Sequence, residues 1–325
     1  MKPNVAIVCG GDSKEFEVSL KGAKGLYGFI DKNRYNVFIV KIIGKEWTVE
    51  ISKDEHLPID KNDFGFTHNG VKTVFDFAYI NIHGTPGENG ILQGYFELLR
   101  IKYSSCGVLA AALTFDKYAC LTYLSNYDIM SADSLVFQKG EKIDIDFISE
   151  YLDYPCFVKP NANGSSFGVS KVKSEKDLQA AINKAFEECN KILIEEFIDG
   201  KEFTCGMYRT REKTVVFPVS EVVPKNEFFD YDAKYNGAVE EITPARISKK
   251  LAKEIQEQTE EIYELLDCKG IIRIDYIVDK DNDIHLLEVN TTPGMTETSF
   301  IPQQIRAAGL NITDVLTEII ENELN

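Results

Sequence analysis

The chain lacks three features that would each have indicated a class of protein. No apolar run approaches about 18 residues, so no transmembrane helix and no membrane partner is expected. The seven cysteines include no C-x-x-C pair, which argues against a disulfide scaffold or a zinc site and fits a reducing cytoplasm. An excess of positive charge is also missing, because the chain has 36 Lys and Arg but 52 Asp and Glu, which gives a net charge of -16 at pH 7. That charge argues against nucleic-acid and anionic-membrane partners but not against a small anionic ligand.

Familiar catalytic and nucleotide-binding sequences are missing as well. There is no G-x-S-x-G elbow, so serine-hydrolase chemistry is not expected. Neither a Walker A sequence nor G-x-G-x-x-G occurs, and a dinucleotide-binding fold therefore has no support from its usual fingerprint. The opening "MKPNVAIVCGG" has only a short apolar run that ends in glycines, so no signal peptide is expected.

Strand and helix patterns alternate through the first hundred residues. "VAIVCGG", "YNVFIVKI" and "FDFAYINIHG" read as strands, and "EVSLKGAKGLYGFI" and "NGILQGYFELLR" read as helices. This alternation predicts a parallel α/β unit up to about residue 105. The histidine of "NIHGTPGENG", His83, follows the end of a strand at a glycine-rich turn, where α/β sheets place ligands. His56 and His68 are predicted in a polar surface loop.

The rest of the chain predicts a different mixture of elements. A helical stretch around "LTFDKYACLTYLSNYD" precedes a glycine-containing hairpin in "CFVKPNANGSSFGVSKV" and a helix in "SEKDLQAAINKAFEE". Strands follow in "KILIEEFI", "KEFTCGMYRT" and "KTVVFPVSEVVP", then a long amphipathic helix in "SKKLAKEIQEQTEEIYELLD". The fold class is therefore α/β. Domain limits are predicted at 1–105, 106–198 and 199–325.

A charged hairpin near the C-terminus, "RIDYIVDKDNDIHLLEVN", carries the most specific pattern. Side chains alternate faces along a strand, so Arg273 and Asp275 share one face while Ile274 and Tyr276 share the other. A two-residue turn at 281–282 would place Asp275 opposite Glu288 and Arg273 opposite Asn290. On that count Ile284 and Leu286 lie on the face of Glu288, and His285 lies on the apolar face.

Two carboxylates facing each other across a hairpin should repel unless a cation lies between them. Oxygen ligands without Cys or His favour Mg²⁺ over zinc, so Asp275, Glu288 and Asn290 are candidate metal ligands. The alternative is an exposed, charged strand face. A calcium-binding loop is not supported, because the sixth position of "DKDNDIHLLEVN" is Ile284 rather than glycine.

Other segments could bind a nucleotide. "KPNANGSSFG", Lys159 to Gly168, joins a lysine to a small, hydroxyl-rich turn that could hold phosphate oxygens, although an ordinary hairpin loop has the same composition. Lys117 lies on a predicted helix, where a solvated position is the alternative. Lys234 and Tyr235 lie in an aromatic-rich loop that could close over a site. Glu195, Glu196 and Glu202 surround a strand–turn–strand and could hold an adenine amino group or ribose hydroxyls.

Taken together and in order, these segments resemble the D-alanine–D-alanine ligases of the ATP-grasp superfamily over nearly the whole chain. "GGDSKEFEVSL" is similar to the family's first-substrate segment, and "HGTPGENGILQG" to its His-Gly-x-x-Gly-Glu motif. The resemblance implies an N-terminal substrate-binding domain followed by two ATP-grasp subdomains that enclose the nucleotide. The chain departs from many relatives at Phe300, where leucine is common, and in the compressed stretch after Tyr235.

The resemblance also implies roles for individual residues. Glu15 and His83 would bind the first substrate, and Glu15, Ser165 and Tyr235 would form a hydrogen-bonded set. Arg273 and Gly294 would stabilise an oxyanion, Ser299 and Phe300 would contact the second substrate, and Asp275, Glu288 and Asn290 would hold magnesium. The residues implied to bind ATP are Lys117, Lys159, Gly164, Ser165, Ser166, Glu195, Glu196, Ile198, Glu202 and Lys234.

The reaction implied is the joining of two D-alanines through an acyl phosphate, with ATP, two Mg²⁺ ions for which Mn²⁺ could substitute, and peptidoglycan precursor synthesis as its purpose. A homodimer in the cytoplasm is expected by resemblance. Two alternatives stay open: a related ligase that makes D-alanyl-D-lactate or D-alanyl-D-serine, and a non-enzymatic ATP-binding protein. The presence of Arg273, Asp275, Glu288 and Asn290 argues against the second alternative.

Overall fold

The structure is a computed structural model, and it describes residues 2–162, 164, 167–224 and 239–325. Three main sheets follow one another along the chain. The first has the strand order β4-β3-β2-β1-β7-β8, and β5 pairs with β6 in a separate small hairpin. The elements of this part are β1 (Asn4–Gly10), α1 (Phe16–Phe29), β2 (Asn36–Ile43), β3 (Glu46–Ser52), β4 (Glu55–Pro58), β5 (Gly65–His68), β6 (Val71–Val74), β7 (Phe77–Ile80), α2 (Ile91–Leu99) and β8 (Lys102–Tyr103).

The first sheet contains the predicted parallel unit and also an antiparallel extension that the prediction missed. Strand β1 runs parallel to β2 and β7, and β7 runs parallel to β8. Strands β3 and β4 continue the sheet antiparallel beyond β2. The prediction of a loop around His56 and His68 is wrong, because these residues lie in β4 and β5. These four-residue strands are too short, and mostly too exposed, to show an apolar alternation.

Strand β1 is buried on both sides, as expected for the centre of a parallel sheet. Residues 5–9 have no exposed surface. On one face Ile7 packs with Leu26 of α1 and, from the end of the chain, with Ile319. On the other face Val8 packs with Phe96 of α2. The C-terminal helix therefore covers the N-terminal sheet, which ties the two ends of the chain together.

The second sheet is antiparallel, with the order β11-β10-β12-β9. The predicted hairpin over 156–172 is confirmed by the pairing of β10 with β11. The predicted helical stretch is two helices, because Asp116 is extended and its carboxylate accepts the N–H of Ala119 at 2.9 Å to cap a new helix. The elements are α3 (Val108–Phe115), α4 (Lys117–Leu124), a 3-10 turn (Ser125–Tyr127), β9 (Ser134–Gln138), α5 (Ile145–Tyr151), β10 (Cys156–Pro160), β11 (Ser170–Val172), α6 (Glu175–Glu188) and β12 (Lys191–Glu196).

The third sheet has the order β16-β15-β13-β17-β18, with β14 paired to β13. The single strand predicted in "KTVVFPVSEVVP" is two short strands, β14 and β15. Lys234 and Tyr235, between β15 and β16, lie outside the described residues. The elements are β13 (Gly200–Arg209), β14 (Thr214–Val216), β15 (Ser220–Pro224), β16 (Val239–Ile242), α7 (Lys249–Leu265), β17 (Ile272–Asp279), β18 (Ile284–Asn290), α8 (Phe300–Ala307) and α9 (Ile312–Leu324).

The three sheets make the fold mixed α/β. The strands of the first end at residue 103, those of the second at 196, and those of the third begin at 200. The domain limits given above stay a prediction. In the described parts of the chain, every helix is too short or too polar to span a bilayer.

Candidate active site

The charged hairpin has the pairing that its sequence predicts at the site end. Strands β17 and β18 pair antiparallel, with Asp275 opposite Glu288 and Arg273 opposite Asn290. Residues directly opposite in an antiparallel pair project to the same face of the sheet. All four polar side chains therefore share one face.

The predicted pairing forms although the turn differs from the predicted one, because two one-residue shifts of register cancel. Near the turn Val278 pairs with Ile284 and Tyr276 with Leu286, which is one residue out of step with a two-residue turn at 281–282. A β-bulge then follows between these pairs and the pair of Asp275 with Glu288, and it restores the predicted register. The turn is a longer one in which Asn282 has φ 67° and donates its N–H to the carbonyl of Asp279 at 3.2 Å.

Two predictions about faces fail because of this bulge. Leu286 is buried in the core beside Tyr276 rather than on the face of Glu288, and Ile284 packs against the same core. His285 pairs with Ile277 and lies on the polar face, where its Nε2 is 3.1 Å from Oδ2 of Asp279. It is not a packing residue of the apolar face.

Arg273 and Asp275 form a bidentate ion pair on the polar face. Nε and one terminal nitrogen of Arg273 donate to the two Asp275 oxygens at 2.8 and 2.7 Å. The Asn290 amide donates to Asp275 Oδ2 at 3.2 Å. Burial opposes the charged form of Arg273, but Asp275 outweighs it and the pKa of Arg273 is raised. The guanidinium also lies 5.7 Å from the ring centre of Phe300.

Glu288 has its own cationic partner in Lys117, which comes from the helix α4. Lys117 Nζ lies 3.1 Å from Glu288 Oε2. Burial favours the neutral amine, but the charge of Glu288 outweighs it, so the pKa of Lys117 is raised. Arg273 and Lys117 therefore offset the charge of the two opposed carboxylates. These two cations relieve the repulsion that the sequence predicts between Asp275 and Glu288.

Asn161 positions Lys117 at the site by fixing the start of α4. This buried residue follows β10, accepts the N–H of Lys117 at its backbone oxygen (3.1 Å) and the N–H of Tyr118 at its side-chain oxygen (2.9 Å). The first turn of α4 is thereby fixed to the end of the strand that bears Lys159. The prediction did not include Asn161, although its place two residues after Lys159 was a usable signal.

Lys159 forms an ion pair with the buried Glu195. These residues are diagonal neighbours on one face of β10 and β12, and Lys159 Nζ is 2.6 Å from Glu195 Oε2. Glu196 is on the opposite face, where its carboxylate accepts the N–H of Asp133 at 3.0 Å. Ile198 is the second residue after β12.

Glu202 lies on the third sheet, close to the charged hairpin. It pairs with Ile277 of β17 and so shares the face of Asp275. The residues predicted to bind adenosine thus come from the adjoining ends of the second and third sheets. Their role toward ATP stays a prediction.

Glu15 and His83 face the site from the first sheet. The Glu15 carboxylate lies against Gly164, where any side chain on the glycine would collide with it. Burial lowers the pKa of His83, and the charge of Arg273 adds to this while Glu15 opposes it. His83 is therefore neutral at pH 7, and within the described part of the chain its Nε2 has no hydrogen-bond partner.

Glu88 is a site carboxyl group that the sequence prediction overlooked, although it belongs to the quoted "HGTPGENG". Its Oε2 accepts the N–H of Gly84 at 2.7 Å, and its Oε1 accepts the hydroxyl of Thr292 at 2.9 Å. Burial, together with the charge of Glu15, raises its pKa to about 7. Glu88 thus joins the turn after His83 to the segment that leads from Asn290 to Gly294.

Gly294 and Ser299 lie together where this segment enters α8. A Cβ on Gly294 would be 3.0 Å from Ser299 Oγ, so only glycine leaves the hydroxyl undisturbed. Ser299 precedes Phe300, the first residue of α8, and its Oγ lies 2.7 Å from the hydroxyl of Thr296. Of the remaining predicted site residues, Ser165, Ser166, Lys234 and Tyr235 lie outside the described residues.

The donor set on the hairpin suits a magnesium ion. Two carboxylates and an amide oxygen on one strand face are the ligands that Mg²⁺ prefers. The imidazole on this face, that of His285, lies at the turn end beside Asp279. Among the residues described, no group of three or more His, Cys, Asp and Glu could hold a metal. The predicted set includes only two acids and an amide, so this absence does not bear on it, and the magnesium site stays a prediction.

Comparisons with known proteins define first the class and then the family. Family models described as the D-ala D-ala ligase N-terminus and C-terminus match residues 4–106 and 124–321. The structure matches D-alanyl-alanine synthetase A from Vibrio cholerae with a TM-score of 0.90 at 28% identity, covering 99% of this chain and 98% of that one. It matches the VanG D-Ala:D-Ser ligase from Enterococcus faecalis with a TM-score of 0.89 at 31% identity, covering 99% and 100%. The fold is thus the ATP-grasp fold of these ligases.

Relatives identified by sequence are more similar to this chain than these two structures are. A D-alanine–D-alanine ligase from Bacteroides fragilis is 57% identical over 323 residues, covering 99% of this chain and 100% of the relative. One from Phocaeicola vulgatus is 58% identical over 323 residues with the same coverage. The chain belongs to the D-alanine–D-alanine ligase family.

Proposed function

We propose that this protein joins two D-alanines into D-alanyl-D-alanine, with cleavage of ATP to ADP and phosphate. The observation that carries the proposal is the single polar face of the hairpin, where Arg273, Asp275, Glu288 and Asn290 meet Lys117. A carboxylate does not condense with an amine in water without activation. Such a face can hold the phosphates of ATP beside the carboxylate that they activate.

Lys117 and Lys159 would neutralise phosphate charge during phosphoryl transfer to the first D-alanine. The Lys117 ammonium has three donors, so it can keep Glu288 and still bind a phosphate oxygen. Mg²⁺ held by Asp275, Glu288 and Asn290, as two ions or with Mn²⁺ in its place, would supply further positive charge at the phosphates. Gly164, Ser165 and Ser166 would cover the phosphates, and Glu195, Glu196, Ile198, Glu202 and Lys234 would hold the rest of the nucleotide.

The first D-alanine would bind between the first sheet and the hairpin. Glu15 would accept its ammonium, and a neutral His83 beside it would not repel that charge. Ser165 and Tyr235 would complete a hydrogen-bonded set with Glu15. The acyl phosphate that forms must be kept from water, because hydrolysis would waste the activated carboxylate.

The second D-alanine would attack from the side of α8. Ser299 would hold its carboxylate, with Phe300 beside it. Arg273 and the N–H of Gly294 would stabilise the oxyanion of the tetrahedral intermediate. Arg273 is held in place for this role by its two hydrogen bonds to Asp275.

The test is a reaction with ATP and Mg²⁺, with and without D-alanine, in which phosphate and dipeptide are both measured. Phosphate release that depends on D-alanine, with dipeptide formed, is the expected result. Offering D-serine and D-lactate beside D-alanine separates the two alternative products. The fold of VanG, a D-Ala:D-Ser ligase, is shared at 31% identity, so the fold alone does not choose the second substrate.

The cellular setting belongs to the same proposal. A homodimer in the cytoplasm that supplies peptidoglycan precursor would fit the family resemblance. Light scattering on the purified protein tests the dimer, and a monomer at micromolar concentration would contradict it.

A further inference from the structure

Lys14, the residue before Glu15, reaches out of the first sheet's domain to the central part of the chain. Its Nζ lies 2.6 Å from Oε1 of Glu188, the last residue of α6. The same Nζ lies 5.2 Å from the ring centre of Phe167. One lysine thus contacts both the helix and the loop that border the proposed phosphate-binding turn.

One end of that turn lies against Glu15 of the first domain, and the other lies against Glu188, the partner of Lys14. Gly164 at one end is in contact with the carboxylate of Glu15. At the other end Gly168 packs against Glu188, whose Cγ would be 2.8 Å from a Cβ on the glycine. Lys14 holds Glu188, so 164 and 168 are both connected to the pair Lys14–Glu15.

The Lys14 segment is itself fixed to the first-substrate turn. The hydroxyl of Ser13 donates to the carbonyl of His83 at 2.7 Å and accepts the N–H of Glu15 at 3.2 Å. A movement of α6 relative to the first sheet would therefore displace Glu15 and His83. The contact of Lys14 with Glu188 spans this border.

We propose that Lys14 is a positioning residue that holds the central lobe against the first-substrate turn, and so keeps water from the activated carboxylate. The inference rests on the proposed function. If the contact loosens, water replaces the amine in the attack on the acyl phosphate. The products are then the free carboxylate of D-alanine and inorganic phosphate, with no peptide bond formed.

The size of the effect follows from the exposure of the pair. The side chain of Lys14 is 57% exposed and that of Glu188 is 17% exposed. A half-exposed ion pair has a modest and salt-screened strength, so its loss should change the partition between amine and water by about twofold to fivefold. The total rate of phosphate release should change less than this partition.

The experiment compares phosphate with dipeptide in one reaction for four proteins. Lys14→Met removes the charge and keeps a long side chain over Phe167, and Glu188→Gln removes the other charge. The double change Lys14→Glu with Glu188→Lys restores an ion pair with reversed sign. Lys72→Met is the matched control, because Lys72 pairs with Asp60 at 3.1 Å and Asp63 at 2.9 Å in the same domain, outside the site.

The expected result is about twofold to fivefold more phosphate per dipeptide for each single variant, with the ratio near the wild-type value in the reversed pair and in Lys72→Met. The KM for D-alanine at its first site should rise by a similar factor in Lys14→Met. An unchanged ratio and KM in Lys14→Met would overturn the inference, as would an equal rise in Lys72→Met. If the wild-type protein forms no dipeptide at all, the proposed function fails and the inference fails with it.

Discussion

Glu88 shows how one carboxyl group can make the stability of this protein depend on pH. Its folded pKa, about 7, lies above the ordinary value of 4.5, chiefly because the group is buried. The folded protein therefore binds this proton more tightly than the unfolded chain does. The stabilisation is complete below pH 4.5 and is lost as the pH rises through 7.

We expect the free energy of unfolding to fall between pH 4.5 and 7 by an amount on the order of 3 kcal/mol from this group. Glu88→Gln cannot ionise, so its stability should fall less over that range. Urea unfolding at pH 5 and pH 7.5 measures the difference, with the exposed Glu17→Gln as the control. Parallel pH profiles for wild type and Glu88→Gln would show that Glu88 does not titrate in this range.

Lys159 is the residue whose charge should matter most for ATP. Lys159→Ala should weaken ATP binding by about tenfold or more while D-alanine binding changes little, because a charge-assisted contact to phosphate is lost. The variant also leaves Glu195 buried without its partner, at a cost of about 3–5 kcal/mol in stability. Affinity must therefore be measured calorimetrically on protein shown to be folded.

A matched control for this variant exists in the same lobe. Lys191 pairs with Asp116 at 2.6 Å, the same distance as Lys159 to Glu195, but its side chain is 33% exposed. Lys191→Ala should leave ATP affinity close to the wild-type value. Equal affinities for wild type and Lys159→Ala would remove Lys159 from the phosphate site.

Among the elements, the hairpin β17–β18 shows what sequence reasoning can and cannot predict. Alternation was readable in the first half of β17, where Ile274 lies between Arg273 and Asp275, and the polar face follows directly. The bulge in β18 was not readable, because Leu286 donates its N–H to the carbonyl of Met130 at 2.8 Å, a contact with a distant segment. This tertiary hydrogen bond lies at the residue where the register shifts, and no local pattern in "DIHLLEVN" records it.

The hairpin also carries the strongest prediction about turnover. Glu288→Gln should abolish dipeptide synthesis, because the change removes a negative donor for Mg²⁺ and the partner of Lys117. The fold should persist, since glutamine has the same shape. Added Mg²⁺ should raise the melting temperature of the ATP-bound wild type and fail to do so in the variant.

Asp279→Asn is the control for Glu288→Gln, because Asp279 lies at the turn end of the same polar face. It should keep most activity. The variant changes the 3.1 Å contact between Asp279 and His285, which lies at the turn and not in the site. Turnover near the wild-type level in Glu288→Gln would exclude this face as the metal site.

In the whole molecule, the sequence reveals the order of sheets better than their contacts. The parallel strands β1, β2 and β7 were predicted from their apolar runs, whereas β4 to β6 were missed because each has only four residues. Strand β3 was missed although its seven residues alternate between polar and apolar. The packing of Ile319 against Ile7 could not be predicted, since the sequence pattern of an amphipathic helix does not say which sheet it covers. The site residues were predicted as a set through the resemblance to the D-alanine–D-alanine ligases, because some of them carry no local signal. Lys117, for example, lies on a helix where its sequence alone predicts a solvated position.

Gly270 tests how tightly the first and third sheets are joined. It precedes β17, has φ 69°, and a Cβ there would collide with the carbonyl oxygen of Ser104, just after β8. Gly309, between α8 and α9, has a similar φ of 73° but open space around it. The two glycines therefore share a backbone conformation and differ only in what a methyl group would meet.

Gly309→Ala should cost about 1 kcal/mol in the free energy of unfolding, the cost of a left-handed conformation for alanine. Gly270→Ala should cost a further 1–3 kcal/mol or so, because the methyl group forces the two sheets apart. Urea unfolding gives both values. Activity should fall in Gly270→Ala alone, since Ser104 and Thr292 border the same small cavity of about 10 Å³ and Thr292 holds Glu88. Equal losses of stability in the two variants would mean that the sheets separate there without cost, and that the site does not depend on this contact.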